Sequence, residues 1–238
     1  MTAATLWVYL SAGPLLWLTL TVIAYVAADG AAEALGRPPL ANPVLIAVAI
    51  LSAVLSFTGT PYQTFFDGAQ FVHFLLGPAI VALALPLYEN RGIVASAAAP
   101  LAISLVVGAV VAVVSAVGVA MALGAPKSLL VALAPKSVTA GIAMGVAKEL
   151  GGDPSLAASL VIATGIFGAV ALMPLMRALR IDDPRAQGAA AGLAAHGIGT
   201  AQALRVNPLA GVFAGIAMGL NGVLTSVLAP ALLGMLTG

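Results

Sequence analysis

The densest group of residues able to do chemistry is Leu133-Ala-Pro-Lys-Ser-Val-Thr-Ala-Gly-Ile-Ala143. Pro135 has no backbone N–H, so it breaks a continuous helix or starts a new one. Lys136, Ser137, Val138 and Thr139 follow at once. A half-helix starting here would aim free N–H groups and its positive dipole end at one spot. Lys136 would add a full charge there, and the hydroxyls of Ser137 and Thr139 would add donors. Together these groups make a carboxylate cradle in apolar surroundings. The competing reading places Lys136 at a helix end, with its ammonium snorkelling to lipid headgroups.

A second group is Ala194-Ala-His-Gly-Ile-Gly-Thr-Ala-Gln-Ala203. Gly197 and Gly199 permit backbone conformations or close approaches closed to larger residues. His196 and Thr200 are four apart and share a face if the stretch is helical. The histidine could bind a solute or take up a proton near neutral pH. It could equally be an interfacial histidine beside a glycine turn. The third group, Phe74–Asn90, carries a Gly77-Pro78 break that resembles Ala134-Pro135. Val81 and Val138 each fall three residues after the proline. Two broken segments in one small chain suggest an internal repeat around a central site, against chance likeness in an Ala/Val/Leu/Pro-rich sequence. Asn221 lies in a long uncharged run, where an amide needs an internal partner or a polar cavity.

The elements that must hold these residues follow from composition. Of 238 residues, 62% are hydrophobic and 7% are charged, against about 25% charged in a soluble domain. That excludes a soluble enzyme, a disordered chain and, with no cysteine, a disulfide scaffold or a thiolate site. A net charge of +1 gives no footing for nucleic acid. Residues 1–28, 38–66, 92–126, 154–176 and 206–238 contain no charged side chain. Each run exceeds the roughly 20 residues that cross a bilayer as a helix. Lipid allows only helices or closed barrels, and no strand-like alternation appears.

The reading is therefore an all-α integral membrane protein formed by a single domain over 1–238. It has about seven membrane-inserted segments, two of them broken or re-entrant. Helices are expected near Leu6–Ala28, Pro43–Thr58, Ile93–Leu123, Leu156–Met176 and Pro208–Leu236. Interrupted segments are expected over Gln63–Tyr88 and Ser128–Glu149, and an Ala/Gly-rich segment over Pro184–Val206. With no basic residue in Met1 to Thr5, the first apolar run reads as a retained helix. If the segment at Pro135 is re-entrant, then Arg37, Arg91, Arg177/Arg180/Arg185 and Arg205 all face the cytoplasm. Gly-xxx-Gly pairs at Gly141/Gly145, Gly188/Gly192, Gly211/Gly215 and Gly215/Gly219 read as close helix packing. No serine with a nearby base, paired aspartates, zinc helix or phosphate loop is present, so no enzyme, cofactor or metal is expected.

The segments FLLGPAIVALALPLY (74–88), APKSVTAGIAMGVAKELGG (134–152), LRIDDPRAQGAAAGLAAHGIGTAQAL (179–204) and AMGLNGVLTSVLAP (217–230) resemble the LrgB/CidB family. That group is described as antiholin-like autolysis modulators, and the C-terminal half of the plant plastidal glycolate/glycerate translocator belongs to it. The resemblance covers nearly the whole chain. It implies a multi-pass bacterial inner-membrane protein, often encoded with an LrgA/CidA-like membrane subunit. One line of family description is control of murein hydrolases and lysis; the other is carriage of small hydroxy- or oxo-carboxylates. The residues favour the carrier, since a pore needs mainly self-assembling apolar helices. On that reading Pro135, Lys136, Ser137, Val138, Thr139, His196, Gly197, Gly199, Thr200, Asn221, Gly77 and Pro78 contact or shape the site. A homodimer in the lipid bilayer is expected. The sequence departs from the family pattern at Ala140-Gly141, Ile80, Ala195 and Gln202, which bears on the substrate more than on the fold.

Overall fold

The computed structural model describes residues 13–37, 41–75, 78, 81–82 and 84–237. Every regular element among them is a helix. The chain forms two compact units, Met1–Ala82 and Leu83–Gly238.

In the first unit, α1 (Pro14–Ala34) packs against α2 (Pro43–Thr58) and α3 (Tyr62–Phe74). Trp17 of α1 is fully buried and meets Phe65 of α3 edge-on, with ring centroids 5.9 Å apart. Gly68 lets α3 approach, because a Cβ there would collide with the Pro14 carbonyl oxygen. Helix α1 continues past the expected end at Ala28 to Ala34. Asp29 and Glu33 do not stop it, since both carboxylates are exposed to some degree and pair with Arg37. The early part of the expected Leu6–Ala28 helix falls outside the described residues.

The second unit holds α4 (Ala84–Glu89), α5 (Arg91–Ser96), α6 (Ala98–Ala122), α7 (Lys127–Leu133), α8 (Ala140–Glu149), α9 (Pro154–Ala178), α10 (Pro184–Val206) and α11 (Pro208–Thr237). One signal starts helices in both units: an Asn or Asp followed by Pro. Asn42, Asp153, Asp183 and Asn207 each accept hydrogen bonds from backbone N–H groups of the turn they begin. The next residue, proline, occupies the position whose N–H has no helical partner. The stops use glycine: Gly124 (φ 73) after α6 and Gly151 (φ 73) after α8 take the left-handed conformation.

Among the described residues four helices, α1, α6, α9 and α11, are long and apolar enough to cross a membrane. In α6 the buried residues Leu101, Leu105, Ala109, Val113 and Val117 form one stripe. Its other faces carry Ile103, Val107, Val111 and Val119, all more than half exposed. A helix apolar on all sides with only one side buried suits a lipid surrounding. With 16 residues, α2 spans about 24 Å, short of a hydrocarbon core of roughly 30 Å. The expected helix Ile93–Leu123 is divided at Ala97 into α5 and α6.

Helix α11 is the spine of this unit. Phe213 and Ala217 pack against α6, Ala210 and Ala214 against α9 and α10, and Ala229 and Leu233 against α6, α7 and α8. Its tightest neighbour is α10. Gly188 and Gly192 face the carbonyl oxygens of Ala210 and Ala214 so closely that a Cβ on either would overlap them, as expected for close helix packing. Gly141, Gly145 and Gly219 behave differently: a Cβ at any of them would meet no atom within 4 Å. The packed face of α8 is Ala143, Val146 and Ala147, and its two glycines lie opposite. Among the described residues they make no packing contact.

Candidate functional site

The expected interruption at Pro135-Lys136 is present, with its half-helix starting later than the sequence suggests. Helix α7 ends at Leu133, and α8 begins only at Ala140 behind Thr139. Between them the backbone makes short turn bonds, Lys136 N to Leu133 O and Val138 N to Pro135 O. Thr139 is extended (φ −68°, ψ 151°) and its hydroxyl caps nothing. The free N–H groups therefore belong to the start of α8, four residues beyond Lys136. Pro135, Ser137 and Val138 are buried, while Lys136 and Thr139 are half-buried. The Lys136 ammonium donates to Ser137 Oγ at 3.1 Å, and no carboxylate pairs with it among the described residues. An amine thus lies beside Ser137, contrary to the expectation that no serine has such a neighbour. In its ammonium form the side chain donates to the serine hydroxyl.

A further interruption, at Ala195-His196, was not foreseen. Helix α10 covers the expected 184–206, but it is two helices meeting at Ala195 (φ −126°, ψ 15°) and His196 (φ 42°, ψ −131°). A positive φ is uncommon for a residue with a Cβ and costs on the order of 1–3 kcal/mol. The surroundings hold it. His196 is buried, and its Nε2–H donates to the carbonyl of Val161 in α9 at 2.9 Å. Gly165 leaves room for the ring, because a Cβ there would lie 2.5 Å from Cε1 and 2.6 Å from Nε2. Gly168 does the same for the Ala195 methyl. Thr200, four residues on, donates to the His196 carbonyl at 2.8 Å, the same-face relation expected from the sequence. Gly199 is needed for close approach, while Gly197 would have only an ordinary contact with Met218.

Asn221 joins the two interruptions. It is fully buried in α11. Its Nδ2 donates to the carbonyl of Ser137 at 3.1 Å and to that of Leu193 at 3.2 Å. Leu193 is the residue whose carbonyl an unbroken α10 would have bonded to Gly197. Asn221 Oδ1 accepts from Thr225 at 3.1 Å. The structure thus brings Pro135–Thr139, His196–Thr200 and Asn221 into one connected region. Gly77 lies outside the described residues, and Pro78 is exposed.

Sequence reasoning did not single out Val161, Gly165, Leu193 or Thr225. Two of these act through backbone carbonyls, which any residue supplies. Thr225 did carry a signal, being four residues after Asn221 on the same helix face.

A cavity of about 540 Å³ adjoins this region. Ala186, Ala190 and Ala194 of α10 line it, facing Ser96 and Ser104. Asp183 and Arg185 also belong to its lining, at the start of α10. They pair at 2.6 Å, and both are exposed. The Arg185 side chain and backbone N–H hold the Asp183 carboxyl below the usual carboxylate range.

Residues 21–235 match the LrgB-like family. The chain belongs to it. Among similar members, the holin-like protein CidB of Staphylococcus aureus (strain N315) is 33% identical over 219 residues, covering 92% of this chain and 95% of that protein. The YwbG protein of Bacillus subtilis (strain 168) is 33% identical over 216 residues, covering 91% and 96%. A protein from Haemophilus influenzae is 33% identical over 189 residues, covering 79% and 82%. No solved structure matches the chain. In this LrgB-like protein the matched region includes both interruptions and the asparagine between them.

Proposed function

We propose that this LrgB-like protein is a carrier of small monocarboxylates of the glycolate, glycerate, lactate or pyruvate type, working by alternating access in a bacterial inner membrane. The observation that carries this reading is the Asn221 amide, which ties a turn, whose ammonium no carboxylate among the described residues pairs with, to a break in a neighbouring helix. Lys136 would balance the carboxylate. The hydroxyls of Ser137 and Thr139, with the first N–H groups of α8, would donate to it. His196 and Thr200 would line the adjoining wall or gate it. Movement of the broken elements against the remainder would give access from each side. About seven inserted segments and a homodimer belong to the same proposal.

Radiolabelled glycolate and pyruvate uptake into proteoliposomes tests it. Saturable uptake that Lys136→Ala lowers about 10- to 100-fold at low concentration is the expected result, and no uptake by the wild type would end the reading.

A second reading is favoured by the name of a relative, holin-like protein CidB. On it the protein is an antiholin-like regulator that assembles with an LrgA/CidA-type membrane subunit and has no solute of its own. It predicts partner-dependent dye leakage that is indifferent to carboxylates.

A further inference from the structure

The cavity beside α10 takes no part in the hydrogen bonds that join the two interruptions through Asn221. It begins among charged side chains and reaches the last residues before a helix break. Asp183 and Arg185 cap α10 outside the apolar runs, and their side chains are 43% and 44% exposed. That end belongs in water or among headgroups. The other end is formed by Leu193 and Ala194, directly before the Ala195-His196 interruption. Between them α10 presents methyl groups only, at Ala186, Ala189 and Ala190.

Size and chemistry both distinguish this space from a fitted binding site. At about 540 Å³ it lies in the range of pockets that enclose drug-sized ligands, roughly 300–1,000 Å³, far larger than a two- or three-carbon acid requires. The hydroxyl hydrogens of Ser96 and Ser104 are donated to the carbonyls of Ile93 and Leu101 in their own helices. Arg185 is committed to Asp183, so the pair adds no net charge to trap an anion. A wide space with little to grip a carboxylate suits passage rather than retention.

We infer that this cavity is the water-filled vestibule through which the carboxylate reaches the break at Ala195-His196 from one side of the membrane. The inference rests on the carrier reading. It assigns α10 two tasks: its first half walls the approach, and its break meets the solute.

The absence of cysteine allows a direct test in the full-length protein. Ser104→Cys and Ala190→Cys place single thiols in the cavity. Ile103→Cys places one on the outward face of α6, at a residue 66% exposed. Each variant is reconstituted and treated with a charged, membrane-impermeant methanethiosulfonate, in permeabilised vesicles for labelling and in sealed vesicles for glycolate and pyruvate uptake. Since the reacting form is a thiolate, which needs water, the cavity thiols should label about tenfold or more faster than Ile103→Cys. The bulky adduct should then abolish uptake that the unlabelled variant retains. Ser104→Cys is nearly isosteric and serves if Ala190→Cys fails to fold.

Cavity thiols no faster than Ile103→Cys would mean that lipid fills the space, and would overturn the inference while leaving the carrier reading intact. Fast labelling with undiminished uptake would overturn it as well. Absence of uptake in the unlabelled wild type would instead overturn the carrier reading, and the vestibule with it.

Discussion

At residues 134–139 the helix stops because Pro135 has no N–H to give, whereas at Ala195-His196 no residue forbids a helix. Alanine and histidine are both compatible with one, and the flanking glycines only weaken it. The second break exists because its surroundings supply what a continuous α10 would have supplied. Asn221 takes the freed Leu193 carbonyl, Val161 receives the His196 ring, and Gly165 makes space for that ring. One interruption is encoded locally and the other is imposed by packing. Asn221 is where the two depend on each other.

Cutting that tie should have the largest effect. Asn221→Leu keeps the volume but leaves the buried Ser137 carbonyl without this donor, at about 1–3 kcal/mol, and the part-buried Leu193 carbonyl without it at a smaller cost. The thermal unfolding midpoint in detergent should fall by many degrees. A midpoint within a degree or two of wild type would mean that the breaks do not depend on each other.

Next comes the charge at the proline-encoded break. Lys136→Ala removes a charge-assisted contact of about 1.5–3 kcal/mol. Carboxylate uptake at low concentration should drop about 10- to 100-fold, with the unfolding midpoint little changed. Uptake equal to wild type would make Lys136 a headgroup anchor.

Two glycine substitutions sharpen the contrast. Gly165→Ala forces the His196 ring off the Val161 carbonyl, destabilising by about 1–3 kcal/mol. Gly141→Ala, on the open face of α8, should stabilise by about 0.5–1 kcal/mol. Paired thermal melts read both, and equal shifts of the same sign would contradict the packing described for α9 and α10.

The smallest effect concerns pH at the start of α10. Arg185 lowers the Asp183 carboxyl in the folded protein, so its contribution is present above the ordinary carboxylate value of about 4. It is lost as pH falls through the lower folded-state value. Asp183→Asn, which retains a capping oxygen, should narrow the stability difference between pH 3 and pH 6. Parallel melts across that range check it, and an unchanged slope would remove Asp183 from the acid response.

The membrane character and most helices were legible because they depend on long uncharged runs. The Pro43–Thr58 and Pro184–Val206 ranges agree with the structure to the residue. The Asn/Asp-Pro starts explain why: cap and proline are adjacent and need nothing distant. The division at Ala97 was less legible, since Ala95 to Ala99 is uniformly compatible with helix. At the site, Lys136, Ser137, His196, Thr200 and Asn221 could be picked out as polar residues in apolar surroundings. Which of them touch could not be read, because the bridge runs to carbonyls of Ser137 and Leu193, whose acceptor capacity no side chain announces.

By itself the sequence determined an all-helical membrane protein, a break at Pro135 and a polar set that must be satisfied internally. These follow from single residues and local runs: an absent N–H, absent charges, an amide stranded among apolar neighbours. Only the tertiary structure decided that α10 breaks at His196, that Asn221 serves both breaks, and that a cavity leads to one of them. Each of these depends on groups from helices far apart in sequence meeting in space. A positive φ at a histidine persists only where such neighbours hold it there.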